Sequence, residues 1–114
     1  LRHLERQHGV QVSRIPVDSE GYVDPDDVRR AMRSNSRLIA LIHASNVTGA
    51  LQPAEEVGQI ARENDLLFLL DAAQTLGQVP IDVSRLHVDL LAAPGHKGLL
   101  GPLGTGILYI APGV

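Results

Sequence analysis

The 114-residue sequence predicts an α/β fold on a mainly parallel sheet, and three observations carry that expectation. Strand-like and helix-like segments alternate along the chain, as in a sheet with crossover helices. The central runs RLIALIHA and LLFLLD are apolar throughout, as strands are when both faces are covered. Polar residues gather just beyond these runs, where open α/β sheets bind ligands.

The elements follow in order. LRHLERQHG has helical character, and Gly9 is placed as its C-terminal stop. Because the sequence starts at Leu1 with this helix under way, it is expected to be a piece of a longer protein. VQVSRIPV, 10–17, sets Val10, Val12, Ile15 and Val17 among polar residues and predicts a strand at or near a sheet edge. The turn DSEGYVDP follows, with Asp24 as N-cap and Pro25 as the first residue of a helix predicted over 25–33. A central strand is expected over 38–44. Pro53 opens a second helix over 53–64, with Val57, Ile60 and Ala61 on one face. Further strands are predicted at 66–71 and 88–93, and GILYI forms a last one. That last strand should return antiparallel, since a parallel return needs a crossover of about a dozen residues and only a short glycine-rich loop precedes it.

Composition narrows the function. The chain is 44% hydrophobic, enough for the core of one globular domain. Net charge is −3 and the ten Lys and Arg are scattered, which argues against nucleic acid as a partner. No apolar run approaches the roughly 20 residues of a membrane span, so the expectation is a soluble, cytoplasmic protein with no membrane partner. There is no cysteine, which removes disulfides, thiolate metal sites and a thiol nucleophile from these residues.

The chemistry gathers at three strand ends: HASN from His43 to Asn46, DAAQ from Asp71 to Gln74, and PGHK from Pro94 to Lys97. Each residue has an ordinary role open to it. Asp71 and Asn46 suit turns, His43 and His96 suit structural hydrogen bonds, Lys97 suits a solvated loop, and Gly95, Gly98, Gly101, Gly104 and Gly106 suit chain reversals. Together at adjacent strand ends they fit one chemistry, a lysine that condenses with the aldehyde of pyridoxal phosphate as a Schiff base. An acid at the pyridine nitrogen keeps that nitrogen protonated, and Asp71 can fill that place. Asn46 or Gln74 could hold the phenolic oxygen, His96 could donate to the phosphate, and Ala72 and Ala73 leave room for a flat ring. GHKGLLG lacks the glycine spacing and the Lys-Ser/Thr pair of a P-loop.

The segments RLIALIHASNVTGALQP and LLDAAQTLGQVPIDVSRLHVDLLAAPGHKGLLGPLGTGILYI resemble the central part of the large domain of class V aminotransferases, PLP-dependent enzymes of fold type I. The likeness is nearest to the branch of cysteine desulfurases and selenocysteine lyases. It implies Lys97 as the imine lysine, Asp71 at the pyridine nitrogen, Asn46 and Gln74 at the phenolic oxygen and His96 at the phosphate. It implies an amino acid substrate, L-cysteine first among them, and a homodimeric full-length parent. Relatives acting on kynurenine, serine or isopenicillin are the alternative within the class, and a non-catalytic truncated α/β domain is the alternative outside it. Where many members carry serine three residues before the lysine, this chain has Pro94. The upstream phosphate loop, the stacking histidine, the mobile-loop cysteine, the carboxylate-binding arginine and the C-terminal small domain fall outside the resemblance. Residues 1–114 are therefore expected to be an incomplete PLP-binding large domain without turnover on their own.

Overall fold

The computed structural model describes residues 2–114; Leu1, the first residue of the expected opening helix, lies outside them. Helix α1 spans Arg2–His8 and stops at Gly9, whose φ of +64° suits a residue without a Cβ. Helix α2, Pro25–Ala31, starts as its sequence dictates: the Asp24 carboxylate accepts the Asp26 N–H at 2.8 Å and proline fills the first position. It ends two residues earlier than expected because Met32 is already extended. Helix α3, Ala54–Glu63, begins just after Pro53 and buries Val57, Ile60 and Ala61.

Four strands form one sheet in sequence order: β1, Leu38–Ile42; β2, Leu67–Asp71; β3, Leu90–Pro94; β4, Gly106–Ile110. β1, β2 and β3 are parallel, and β4 runs antiparallel to β3. β2 is an interior strand, as expected. β1, expected to be central on the same apolar pattern, stands at an edge of the sheet among the described residues, with Leu38 and Ile42 exposed. One row across the sheet pairs Leu41 with Leu70, Leu70 with Leu91 and Leu91 with Tyr109. This face packs under α3, with α2 set against α3, and Phe68, Leu70, Val57 and Ile60 lose essentially all exposure there. Burying side chains of this size contributes about 1.5–3 kcal/mol each. The opposite face leaves Leu38, Ile42, Leu108 and Ile110 exposed.

Packing between α3 and the chain that enters β3 rests on one glycine. A Cβ on Gly58 would lie 2.0 Å from the Leu86 carbonyl oxygen, so only glycine lets the helix settle on that turn. Arg85 in the same turn donates to Glu55 of α3 at 2.7 Å.

The expected edge strand at 10–17 does not form. Only Val17 pairs, in a single antiparallel bridge to Val23 across the turn at 18–22. Pro16 has no N–H to give a ladder, and Val10 and Val17 are exposed instead of covered. Strand β1 is also shorter than 38–44, because the chain turns after Ile42 and Ala44 bridges antiparallel to Leu51. β3 starts later than residue 88 because Asp89 meets β2 partly through its side chain: its carboxylate, in place of a backbone carbonyl, accepts the Phe68 N–H at 2.8 Å.

Candidate functional site

Asp71 ends β2 with Ile42 of β1 on one side and Ala92 of β3 on the other. Strand alternation directs its side chain to the face opposite α3. Its Oδ1 accepts the Ala73 N–H at 2.9 Å, an Asx turn that starts the 72–78 loop. Its Oδ2 has no protein hydrogen bond among the described residues. Gln74 follows, half-buried, in the same loop. Asn46 lies exposed in the loop after β1, which is closed by Ser45: its hydroxyl accepts from Val47 and Thr48 and its carbonyl from Gly49. His96 and Lys97 lie exposed in the loop after β3. The Lys97 carbonyl accepts the Leu100 N–H at 2.9 Å, and Leu100 holds a left-handed φ of 54°. Among the described residues, none of the side chains of Asn46, Gln74, His96 and Lys97 is spent on a protein hydrogen bond.

Two contacts hold the three loops together. In the first, His43 Nδ1 and Thr75 Oγ1 are 2.9 Å apart, joining the loop after β1 to the loop after β2. Both are buried, at 5% and 3% exposure. Burial pushes the His43 imidazole below its ordinary pKa, so the ring is held neutral. In the second, the loops after β2 and β3 cross backbone to backbone. A Cβ on Gly77 would lie 2.5 Å from the Gly98 carbonyl oxygen, and one on Gly98 would lie 2.4 Å from that of Leu76. The structure therefore gathers the loops bearing Asn46, Asp71, Gln74, His96 and Lys97 at one end of the sheet. Thr75 was not singled out by the sequence; its only signal there is adjacency to Gln74, because its burial depends on a partner 32 positions away.

The amino ends of the strands are built differently. A hollow lined by Arg62, Asp65, His87, Asp89 and Tyr109 lies there, and Arg62 reaches His87 Nδ1 at 3.3 Å. Among the described residues, no group of three or more His, Asp and Glu is placed to hold a metal ion, and no helix is long and apolar enough to cross a membrane.

Polar side chains left free beyond the carboxyl ends of parallel strands are the ligand-binding arrangement of open α/β sheets. The family is narrower: the family model for class V aminotransferases matches residues 1–113, and the chain belongs to that family. It is 48% identical to a cysteine desulfurase IscS of Methanosarcina thermophila, over 97% of this chain and 27% of that protein. A solved apo cysteine desulfurase from Thermococcus onnurineus superposes with a TM-score of 0.90 at 38% identity, over 97% of this chain and 28% of that one. A structure described as SspA in complex with cysteine superposes equally well, at 0.90 and 34% identity, over 96% of this chain and 31% of that one. The chain thus spans between 22% and 28% of the length of several curated relatives it matches.

Proposed function

We propose that these residues form the lysine-bearing part of a pyridoxal-phosphate-dependent cysteine desulfurase. The observation that supports this reading is the set of unspent donors and acceptors on three clamped loops: one amine, one carboxylate oxygen, two amides and one imidazole. That set matches what the cofactor presents, namely an aldehyde, a ring nitrogen, a phenolic oxygen and a phosphate. The small Ala72 and Ala73 beside Asp71 leave space for a flat ring. When bound, pyridoxal phosphate supplies an electron sink for the substrate α-carbon.

The residues divide the remaining work. Lys97 would supply the amine that holds the cofactor through its aldehyde carbon and, as a free amine, would take the substrate α-proton. Asp71 is oriented through Oδ1 by the Ala73 N–H, leaving Oδ2 to hold a proton on the ring nitrogen. Asn46 and Gln74 would hold the phenolic oxygen, and His96 would donate to the phosphate. Pro94 offers that phosphate no hydroxyl. Removal of sulfur from the β-carbon needs a thiol, which these 114 residues lack, so residues outside them must provide it. Cysteine as substrate is supported by the cysteine-bound relative and by the name of the desulfurases above. A cytoplasmic homodimer is the accompanying expectation.

Borohydride reduction of the intact protein with pyridoxal phosphate, followed by peptide mapping, tests the assignment. The cofactor is expected on Lys97, with alanine formed from L-cysteine by the untreated protein and sulfide released once a thiol reductant such as dithiothreitol is added. A label on another lysine overturns the site, and turnover of a different amino acid in place of cysteine overturns the substrate.

A further inference from the structure

We propose that His43 and Thr75 are positioning residues, a buried clasp that fixes the turn carrying Asp71 and Gln74 relative to the loop carrying Asn46. This rests on the function proposed above.

The clasp lies one residue from Gln74 and one residue past the end of β1. Three hydrogen bonds fix His43: its N–H donates to the Asp71 carbonyl at 2.9 Å, its carbonyl accepts the Gln52 N–H at 2.8 Å, and its ring meets Thr75. Gln52 is itself held, donating through Nε2 to the Gly21 carbonyl at 2.7 Å and accepting the Val23 N–H at 2.9 Å. The imidazole therefore projects from a backbone that cannot shift on its own. Thr75 starts from the other side, its N–H donating to the Ala72 carbonyl at 3.0 Å, within the same turn that Asp71 opens. The Thr75 carbonyl then accepts from Gln78 and Val79, leading the chain directly into the Gly77 crossing.

A neutral imidazole carries one donor and one acceptor, and a threonine hydroxyl complements either. The pair is thus satisfied without a charge. Among the described residues no buried side-chain nitrogen or oxygen lacks a partner. Losing the hydroxyl would strand Nδ1 in the interior, and the turn would have to open to relieve it. Such an opening moves Gln74 and the Ala73 N–H that aims Asp71, neither of which is part of the hydrophobic core.

The test uses Thr75→Val, which keeps shape and removes the hydroxyl, with Thr75→Ala beside it and Thr75→Ser as the conservative rescue. In the intact, cofactor-free protein, amide exchange over 72–78 should quicken about tenfold in Thr75→Val and return towards wild type in Thr75→Ser. With pyridoxal phosphate added, the dissociation constant should rise about tenfold and the induced circular dichroism of the bound cofactor should weaken. The thermal midpoint of the cofactor-free protein should stay within a few degrees of wild type. Unchanged exchange and dichroism in Thr75→Val would overturn the clasp. Failure of both Thr75→Val and Thr75→Ala to fold would also overturn it, by showing that the pair carries stability and not position. If wild type itself binds no pyridoxal phosphate, the functional reading fails, and amide exchange alone then decides whether the clasp fixes the turn.

Discussion

Asp71 and Asp89 stand at opposite ends of the β2–β3 pair, and the two ends use a carboxylate in different ways. At the amino end, Asp89 accepts the Phe68 N–H at 2.8 Å while its own N–H donates to the Phe68 carbonyl at 3.0 Å, closing a ring that starts the sheet. At the carboxyl end, Asp71 accepts only the N–H two residues on; each carboxylate keeps one oxygen without a protein hydrogen bond among the described residues. One carboxylate ties two strands together, and the other shapes only its own turn. The carboxyl end is where sheets of this type bind ligands, and it is where the proposed function places the cofactor.

The sharpest way to break this contrast is a matched pair of amide substitutions in the intact protein. Asp71→Asn should lower alanine formation from cysteine by on the order of 100-fold or more, because an amide cannot hold the ring nitrogen protonated, while the thermal midpoint barely moves. Asp89→Asn should do the reverse, costing about 1–2 kcal/mol of stability through its weakened bond to Phe68 and leaving turnover nearly intact. Equal losses of activity in both variants would erase the distinction between the ends.

Steric closure at the amino end offers the next effect. Gly58→Ala drives a methyl into the Leu86 carbonyl and should destabilise by about 1–3 kcal/mol in urea unfolding, since backbone on both sides must move. A neutral result would mean that the turn before β3 is looser than its contacts imply.

A smaller effect distinguishes the buried imidazole at the carboxyl end. His43 has its folded pKa lowered by burial, so its contribution is fully present above the ordinary value of about 6.5. Below that pH the unfolded chain takes up a proton that the folded ring resists, and stability falls. Urea midpoints measured from pH 7 to 5 should therefore drop more steeply for wild type than for His43→Gln. Parallel slopes would show that the ring titrates as if solvated. The smallest effect belongs to Arg85, whose exposed pair with Glu55 depresses that carboxyl and raises the guanidinium. Arg85→Ala should shift the thermal midpoint by about 2 °C or less.

What the sequence made legible follows the same division. LLFLLD read as an interior strand from its continuous apolar run, the same signal that misplaced RLIALIHA, which forms the edge strand β1, and GILYI read as antiparallel because its connection is too short for a crossover. VQVSRIPV misled, since its apolar spacing is that of a strand while Pro16 and the lack of a neighbour deny it a ladder. The candidate residues Asn46, Asp71, Gln74, His96 and Lys97 were visible as polar groups after apolar runs. Thr75 was not, because a threonine in a polar turn carries no mark of the histidine that buries it.

The crossing of Gly77 and Gly98 bears on how these loops tolerate change. Each glycine faces the other loop's main chain with no room for a single carbon, and Gly77 also holds a φ of +86°. In a library that randomises 72–78 and 95–101 together, glycine should return at these two positions almost without exception, and no compensating pair should appear, because the obstacle is a carbonyl and not a side chain. The separation of the loops is thereby a constant of the fold, and variation in what the site accepts has to come from the residues the loops display.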